Sequence, residues 1–489
     1  MKLNVLTSSL LLAFSMSTVE AAPTLIAAGS INSQFRDLSL RTEGLLENGA
    51  PGNRLGGMGS ALAYAGGETF LFLPDRGPNA SVYAAGANRD NTTSYIPRFQ
   101  TVTMHLSAND AYDETKLGTA GYPLLSHVIT PNVQATTLLS SPTQLNYGTS
   151  TDGAPKLNKK GYFYFSGRSD LFDATLPSTN PANGRLDPEG IRVARDGNSV
   201  FITDEYGPYL YQFNRATGRR VRAYNLPSYY AVAKPGPVGV TETSSNTSGR
   251  TDNKGMESLA ITPDGNTLVG MMQQNLIQDT KKFLRIITLD TKTGNVKKEF
   301  AYKVTTGSSS SDILAINDHE FLVLERDGNG LGDNPTTPSS VTTAATKAFY
   351  KIDLDATPAA EITGLGKISD SVATPQTTVA KTLFLDLVTE IKAKTGVSAA
   401  DFPPKFEGAA FGQDITIKGT KYHTLYVVTD NDFLPEIVDA NNAAPGRDNP
   451  NRIYVFAFTD ADLGNAGSGA PTVFKPQTIL LKNLNQDNG

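Results

Sequence analysis

Of 489 residues, 39% are apolar and 19% charged, with no cysteine and four histidines; such a chain buries a core, and disulfides, thiolate metal sites and cysteine nucleophiles are excluded. Lys plus Arg total 43 against 48 Asp plus Glu, a net charge of −5, so the basic surface of a nucleic-acid binder is missing. Forty-four Gly and 28 Pro call for frequent turns and short elements rather than long helical bundles.

Residues 1–21 read as an export signal. Lys2 supplies the positive start, residues 5–16 an apolar stretch, and Val19-Glu20-Ala21 the small-x-Ala cleavage pattern. Residues 22–489 are then expected to form a single domain. No later run approaches the roughly 18 apolar residues of a membrane span, so a soluble periplasmic or secreted protein is expected, in a compartment that holds calcium.

From residue 60 onward a short module recurs, an apolar strand followed by an acidic strand end. Ser60-Ala-Leu-Ala-Tyr64 leads to Pro74-Asp75-Arg76-Gly77, and Glu189-Gly-Ile-Arg-Val193 leads to Thr203-Asp204-Glu205-Tyr206. Glu257-Ser-Leu-Ala-Ile261 leads to Gln273-Gln274, Asp312-Ile-Leu-Ala-Ile316 to Glu325-Arg326-Asp327, and Glu407-Gly-Ala-Ala-Phe411 to Asp430-Asn431-Asp432-Phe433. Inside the copies lie hairpin signals such as Arg195-Asp196-Gly197-Asn198 and Pro263-Asp264-Gly265-Asn266. Two more strands follow the second and third copies, over 210–213 and 220–224, then 283–289 and 296–300. A four-stranded antiparallel meander is the unit of a β-propeller blade.

An all-β propeller is therefore expected. Five copies are visible, and the long interval 60–189 is read as hiding a degenerate blade around Tyr162-Phe-Tyr-Phe165. That gives six blades, or seven if the interval 312–407 hides another. Ring closure is expected from a strand at 24–28 or at 476–482. A short inserted helix is expected near 379–395, because Val379, Leu383, Phe384, Leu387, Val388 and Ile391 share one helical face.

Inner strands of a propeller line its channel, so the recurrent acids converge there. One set is Glu189, Glu257, Asp312 and Glu407; a second is Asp75, Asp204, Glu205, Glu325, Asp327, Asp430 and Asp432. So many carboxylates in one cavity require neutralising cations. Arg76 and Arg326 supply part of that charge. Hard oxygen ligands suit Ca²⁺, with Glu189, Asp204, Glu257, Glu407, Asp430, Asp75, Asp327 and Asp432 as candidate ligands, whereas none of the histidines that zinc favours sits in a recurrent motif. No Gly-x-Ser-x-Gly elbow or phosphate-cradling loop occurs. The glycines at Gly56-Gly57-Met58-Gly59 precede a strand and mark a tight approach or turn.

In this order, from about Gly57 to Phe456, these motifs resemble the phytase-like family of exported bacterial propellers, described by an esterase-like activity of phytase. The pieces that carry the resemblance are Asp75-Arg76-Gly77, Glu189-Gly190-Ile191 with Asp204-Glu205-Tyr206-Gly207, Met256-Glu257-Ser258-Leu259, Leu324-Glu325-Arg326-Asp327, and Glu407-Gly408 with Asp430-Asn431-Asp432-Phe433. The resemblance implies a hydrolase of small-molecule phosphoesters or esters. In that reading Glu205 or Glu325 is the general base, and Arg76 or Arg326 steadies developing negative charge. The alternative is a non-catalytic, calcium-stabilised propeller that binds a ligand or cell-surface partner.

Overall fold

The structure, a computed structural model, describes residues 23–80, 90–116, 125–148, 154–170, 173–332, 342–356, 358–369, 377–438 and 446–480; the expected export signal lies outside them. Strand β1 (Thr24–Ile31) comes first. Blade one is β2 (Ala61–Tyr64), β3 (Thr69–Leu73), β4 (Arg98–Ala108) and β5 (His127–Leu138), followed by a two-stranded hairpin of β6 (Ser140–Ser141) and β7 (Phe163–Tyr164). Blade two is β8 (Pro188–Val193), β9 (Ser199–Asp204), β10 (Leu210–Asn214) and β11 (Arg220–Tyr224), and a short helix α1 (Gly239–Ser245) follows it. Blade three comprises β12 (Ser258–Ile261), β13 (Thr267–Met271), β14 (Leu284–Asp290) and β15 (Val296–Tyr302). Blade four comprises β16 (Ser309–Ala315), β17 (Glu320–Arg326), β18 (Lys347–Asp353) and β19 (Lys381–Asp386), which runs into helix α2 (Leu387–Thr395). Blade five is β20 (Lys405–Phe411), β22 (Thr420–Asp430) and β25 (Asn451–Phe458), with β21 (Ile415–Ile417) beside β22 and the small pair β23 (Glu436–Ile437) and β24 (Arg447–Asp448) outside it.

The hairpin turns form where the Asp-Gly signals stand. Gly197 and Gly265 take φ of +70° and +73°, the left-handed geometry that glycine adopts without a Cβ penalty.

The ring closes on five blades, not six. Apolar cores fill the spaces between successive blades. Leu71 and Phe99 pack with Ile191 and Ile202, Phe201 and Tyr224 with Leu259 and Leu268, and Ile286 and Phe300 with Ile313 and Val323. Leu322 and Phe349 then pack with Phe406 and Val427, and the last core sets Val428 and Val455 against Leu62 and Phe72, returning to blade one. Innermost strand β2 lies directly between β8 and β20, which leaves no slot for the blade expected around Tyr162. That segment instead makes the β6–β7 hairpin, which touches blade two through a Ser140–Arg219 bridge and sends Phe165 into the core between blades one and two. The long strands β4 and β5, of 11 and 12 residues, take up a further part of the interval 60–189.

Closure comes from the N-terminal candidate. β1 pairs antiparallel with β25 from Thr24↔Ala457 to Ile31↔Asn451, completing blade five. Residues 476–480 form no strand; Gln477 donates to the Val193 carbonyl (2.6 Å) and the Leu480 N–H to that of Arg195 (2.8 Å). The inserted helix begins later than expected, because Val379, Leu383 and Phe384 precede it and β19 occupies 381–386. Asp386 sets the boundary, its side chain capping the helix by accepting from the Thr389 N–H (3.1 Å). Among the described residues no helix is long and apolar enough to cross a membrane.

Candidate functional site

Three inner strands carry the same irregularity. Register shifts occur between Pro188 and Gly190, between Ser310 and Asp312, and between Phe406 and Gly408, making Glu189, Ser311 and Glu407 bulge residues. In blades one and three the paired strand starts at Ala61 and Ser258, so Ser60 and Glu257 take the corresponding place. Across the ladder, Ala61, Gly190, Ser258, Asp312 and Gly408 face Leu73, Thr203, Met271, Leu324 and Val428. Two residues beyond those partners stand Asp75, Glu205, Gln273, Arg326 and Asp430. The channel mouth is thus built from two tiers, Ser60, Glu189, Glu257, Ser311 and Glu407, then Asp75, Glu205, Gln273, Arg326 and Asp430. All ten are buried.

This register separates the expected residues. Asp75, Asp187 and Glu189 form one group whose ligand oxygens lie within 4.8 Å of one another; Asp75, Asp430 and Asp432 form a second, and Glu189, Glu205 and Glu257 a third. Glu407 joins them beside Glu257 and pairs with Arg326.

Four expected acids point elsewhere, because a one-residue change of register turns a strand side chain to the other face. Asp204 accepts from the backbone N–H groups of Asp187 (2.6 Å) and Gly207 (2.7 Å). Glu325 accepts from Tyr302 (2.5 Å) and the Thr305 N–H (2.8 Å) and pairs with Lys381. Asp327 pairs with Lys347 at 2.7 Å, and Asp312 with Arg192 at 2.8 Å.

Sequence reasoning missed Asp187, Lys405, Asn253 and Lys254. Asp187 and Lys405 each stand two residues before a motif glutamate, a spacing that points both side chains to one side of a strand. Arg76 donates from its backbone N–H and from Nη1 to Asp187, both at 2.9 Å, and from Nη1 to Asn253 at 2.5 Å. Lys405 bridges Asp430 at 3.2 Å and Asp432 at 2.5 Å. Asn253, Asp432 and Phe433, at the mouth, adopt positive φ of 51°, 51° and 55°, the kind of strain that concentrates at functional sites. The expected tight approach is present too: a Cβ on Gly57 would stand 2.2 Å from the Phe433 ring, and one on Gly59 2.2 Å from the Thr429 carbonyl.

Electrostatics of the mouth are uneven. Burial, reinforced by Glu257 and Asp187, holds Glu189 well above the usual carboxylate range, and burial with Glu205 and Glu407 does the same to Glu257. Burial also raises Glu205, although Lys254 opposes it. Asp430 is pushed up to about 7 by burial against the pull of Lys405. Despite burial, Asp432 is held below its ordinary value by Lys405. Uncompensated carboxylates at this depth favour either protonation or a cation. Carboxylates plus the amide oxygen of Gln273 form a hard-oxygen donor set suited to a divalent cation such as Ca²⁺. Buried oxygens of Glu205, Glu257 and Gln273 also have no hydrogen-bond partner.

Fold and site together define a closed propeller with an acidic, cation-compatible channel mouth. More particularly, the chain belongs to the Phytase-like family, described by esterase-like activity of phytase, whose model matches residues 53–433. An uncharacterized secreted protein of Arthroderma benhamiae is 27% identical over 341 residues, covering 57% of this chain and 60% of that protein. Among solved structures, a putative 6-phosphogluconolactonase from Bacteroides uniformis covers 85% of this chain and 96% of its own at 11% identity and a TM-score of 0.30. Hydrazine synthase of Kuenenia stuttgartiensis covers 77% and 78% at 12% identity and a TM-score of 0.30. At TM-scores this low the two likenesses define neither fold nor activity.

Proposed function

We propose that the chain is an exported hydrolase of small phosphoesters or esters, working with a divalent cation, Ca²⁺ by donor chemistry, at the channel mouth. The observation that carries this reading is the Glu189, Glu205 and Glu257 group, buried and lacking an ion pair among the described residues, with Arg76 and Arg326 nearby. The family description and the secreted relative support it. A divalent cation, when bound, supplies charge stabilisation and a more acidic water.

The chain's own residues supply the rest. Glu205, buried and with Oε1 unpartnered, would hold the cation through one carboxylate oxygen and accept the proton of an attacking water at the other. Since Glu325 is committed to Tyr302, Thr305 and Lys381, it is not assigned that role. Arg76 and Arg326 each keep a buried Nε–H without a partner, a donor for the oxygens of an anionic ester group. Burial excludes bulk water and strengthens each of these interactions.

Hydrolysis of p-nitrophenyl phosphate, p-nitrophenyl esters and phytate, with calcium and with chelator, tests the proposal. Turnover that chelator abolishes and Glu205→Gln lowers by about 100-fold or more, the scale of general-base catalysis, is expected. Equal rates for wild type and Glu205→Gln on every substrate would refute it.

A further inference from the structure

We propose that the channel mouth takes one divalent cation, among Glu189, Glu205 and Glu257, because the Lys405 ammonium serves as the cation of the adjoining Asp75, Asp430 and Asp432 group. This rests on the cation-binding reading of the site given above. The three acidic groups are contiguous: the first shares Asp75 with the second and Glu189 with the third. Geometry alone therefore offers neighbouring positions for more than one ion.

What distinguishes them is built-in countercharge. Asp187 of the first group accepts at both oxygens from Arg76. In the second, Lys405 opens β20 directly across the ladder from Asp430, and its Nζ reaches Asp430 at 3.2 Å and Asp432 at 2.5 Å. An ammonium at hydrogen-bond distance from two carboxylates occupies the place and supplies the charge a metal ion would bring. In the third group, Lys254 lies near Glu205 and Glu257 and opposes the rise of both, but among the described residues no ammonium or guanidinium forms an ion pair with Glu189, Glu205 or Glu257, so the place between them is not filled. Its ligands include Glu205 and Glu257, each with an unpartnered oxygen, and the ring register sets beside them Gln273, whose amide oxygen is also unpartnered although the residue is 4% exposed. An amide oxygen cannot be neutralised by protonation, so its buried lone pairs need a donor or a cation.

Calorimetric titration of the chelator-stripped full chain with CaCl₂, alongside melting scans, tests the inference. Wild type should take up one calcium per chain, and Lys405→Met, which keeps the aliphatic stem and removes the charge, should take up two, with a larger rise in melting temperature on calcium addition. Two calcium ions in wild type, or one in folded Lys405→Met, would overturn it. Should Lys405→Met not fold, Asp430→Asn decides: one calcium retained supports the assignment, and loss of uptake contradicts it. Absence of calcium binding in wild type would instead defeat the cation reading on which the inference stands.

Discussion

Glu257 shows in one side chain why the mouth is stable only when its charge is answered. Its carboxyl is 2% exposed, faces Glu205 and Glu407, and is held well above the usual range by burial and those neighbours. Glu257→Gln should therefore abolish calcium uptake yet raise the stability of the metal-free protein at pH 8 by about 0.5–2 kcal/mol, the usual exchange of function for stability; a lower melting temperature in chelator would contradict this. The same physics sets a pH dependence. Asp430 titrates at about 7 in the folded chain and at about 3.9 when unfolded, so between those values the folded state binds more protons and stability falls as pH rises. Melting of the chelator-treated protein should therefore drop from pH 5 to pH 7.5. A chelated protein equally stable at both pH values would show that burial does not outweigh the pull of Lys405 on Asp430.

At the scale of strands, the bulge decides which face a side chain joins. The repeating modules were legible in the sequence because their hairpin signals and apolar runs repeat, and the meander, all five inner strands and most of the mouth acids follow from that phase. The bulge itself leaves no mark in composition. Aligning Asp312 with Glu189 placed it in the acid ring, whereas the register shift gives that position to Ser311 and sends Asp312 to the axis. Lys405 and Asp187 escaped notice because the motif was read forward from its glutamate. Blade number failed for a related reason, since the length of an interval does not say whether its residues lengthen β4 and β5 or add a blade. Gly190 and Gly408 follow the bulges and let inner strands meet: a Cβ on Gly190 would lie 2.9 Å from Leu259 Cβ, and one on Gly408 2.8 Å from the Ala61 carbonyl carbon. Gly408→Ala should cost about 1–3 kcal/mol by overpacking, read as an earlier denaturant midpoint. An unchanged midpoint would show that the strands are less tightly apposed.

Over the whole molecule, the five blades are tied at two places. β1 adds the first-described segment to the last blade and covers the edge of β25. Below the acid tiers, Arg192 donates to Asp312 at 2.8 Å, to the Leu62 carbonyl at 2.7 Å and to the Ile313 carbonyl at 2.9 Å, while Asp312 accepts from the Ala409 N–H at 2.9 Å. One buried pair thus joins blades one, two, four and five across the axis. Asp312→Ala leaves Arg192 charged and buried, and should destabilise the protein by about 3–5 kcal/mol in equilibrium unfolding; a loss under 1 kcal/mol would mean the clasp is dispensable. The acidic mouth above this clasp is the chemically distinct end of the molecule, and its function depends on what that end holds. Anomalous diffraction from crystals soaked in MnCl₂ locates it most directly. A peak is expected among the carboxylates of Glu189, Glu205 and Glu257, and a channel mouth without any peak at saturating manganese would contradict a cation-binding site there.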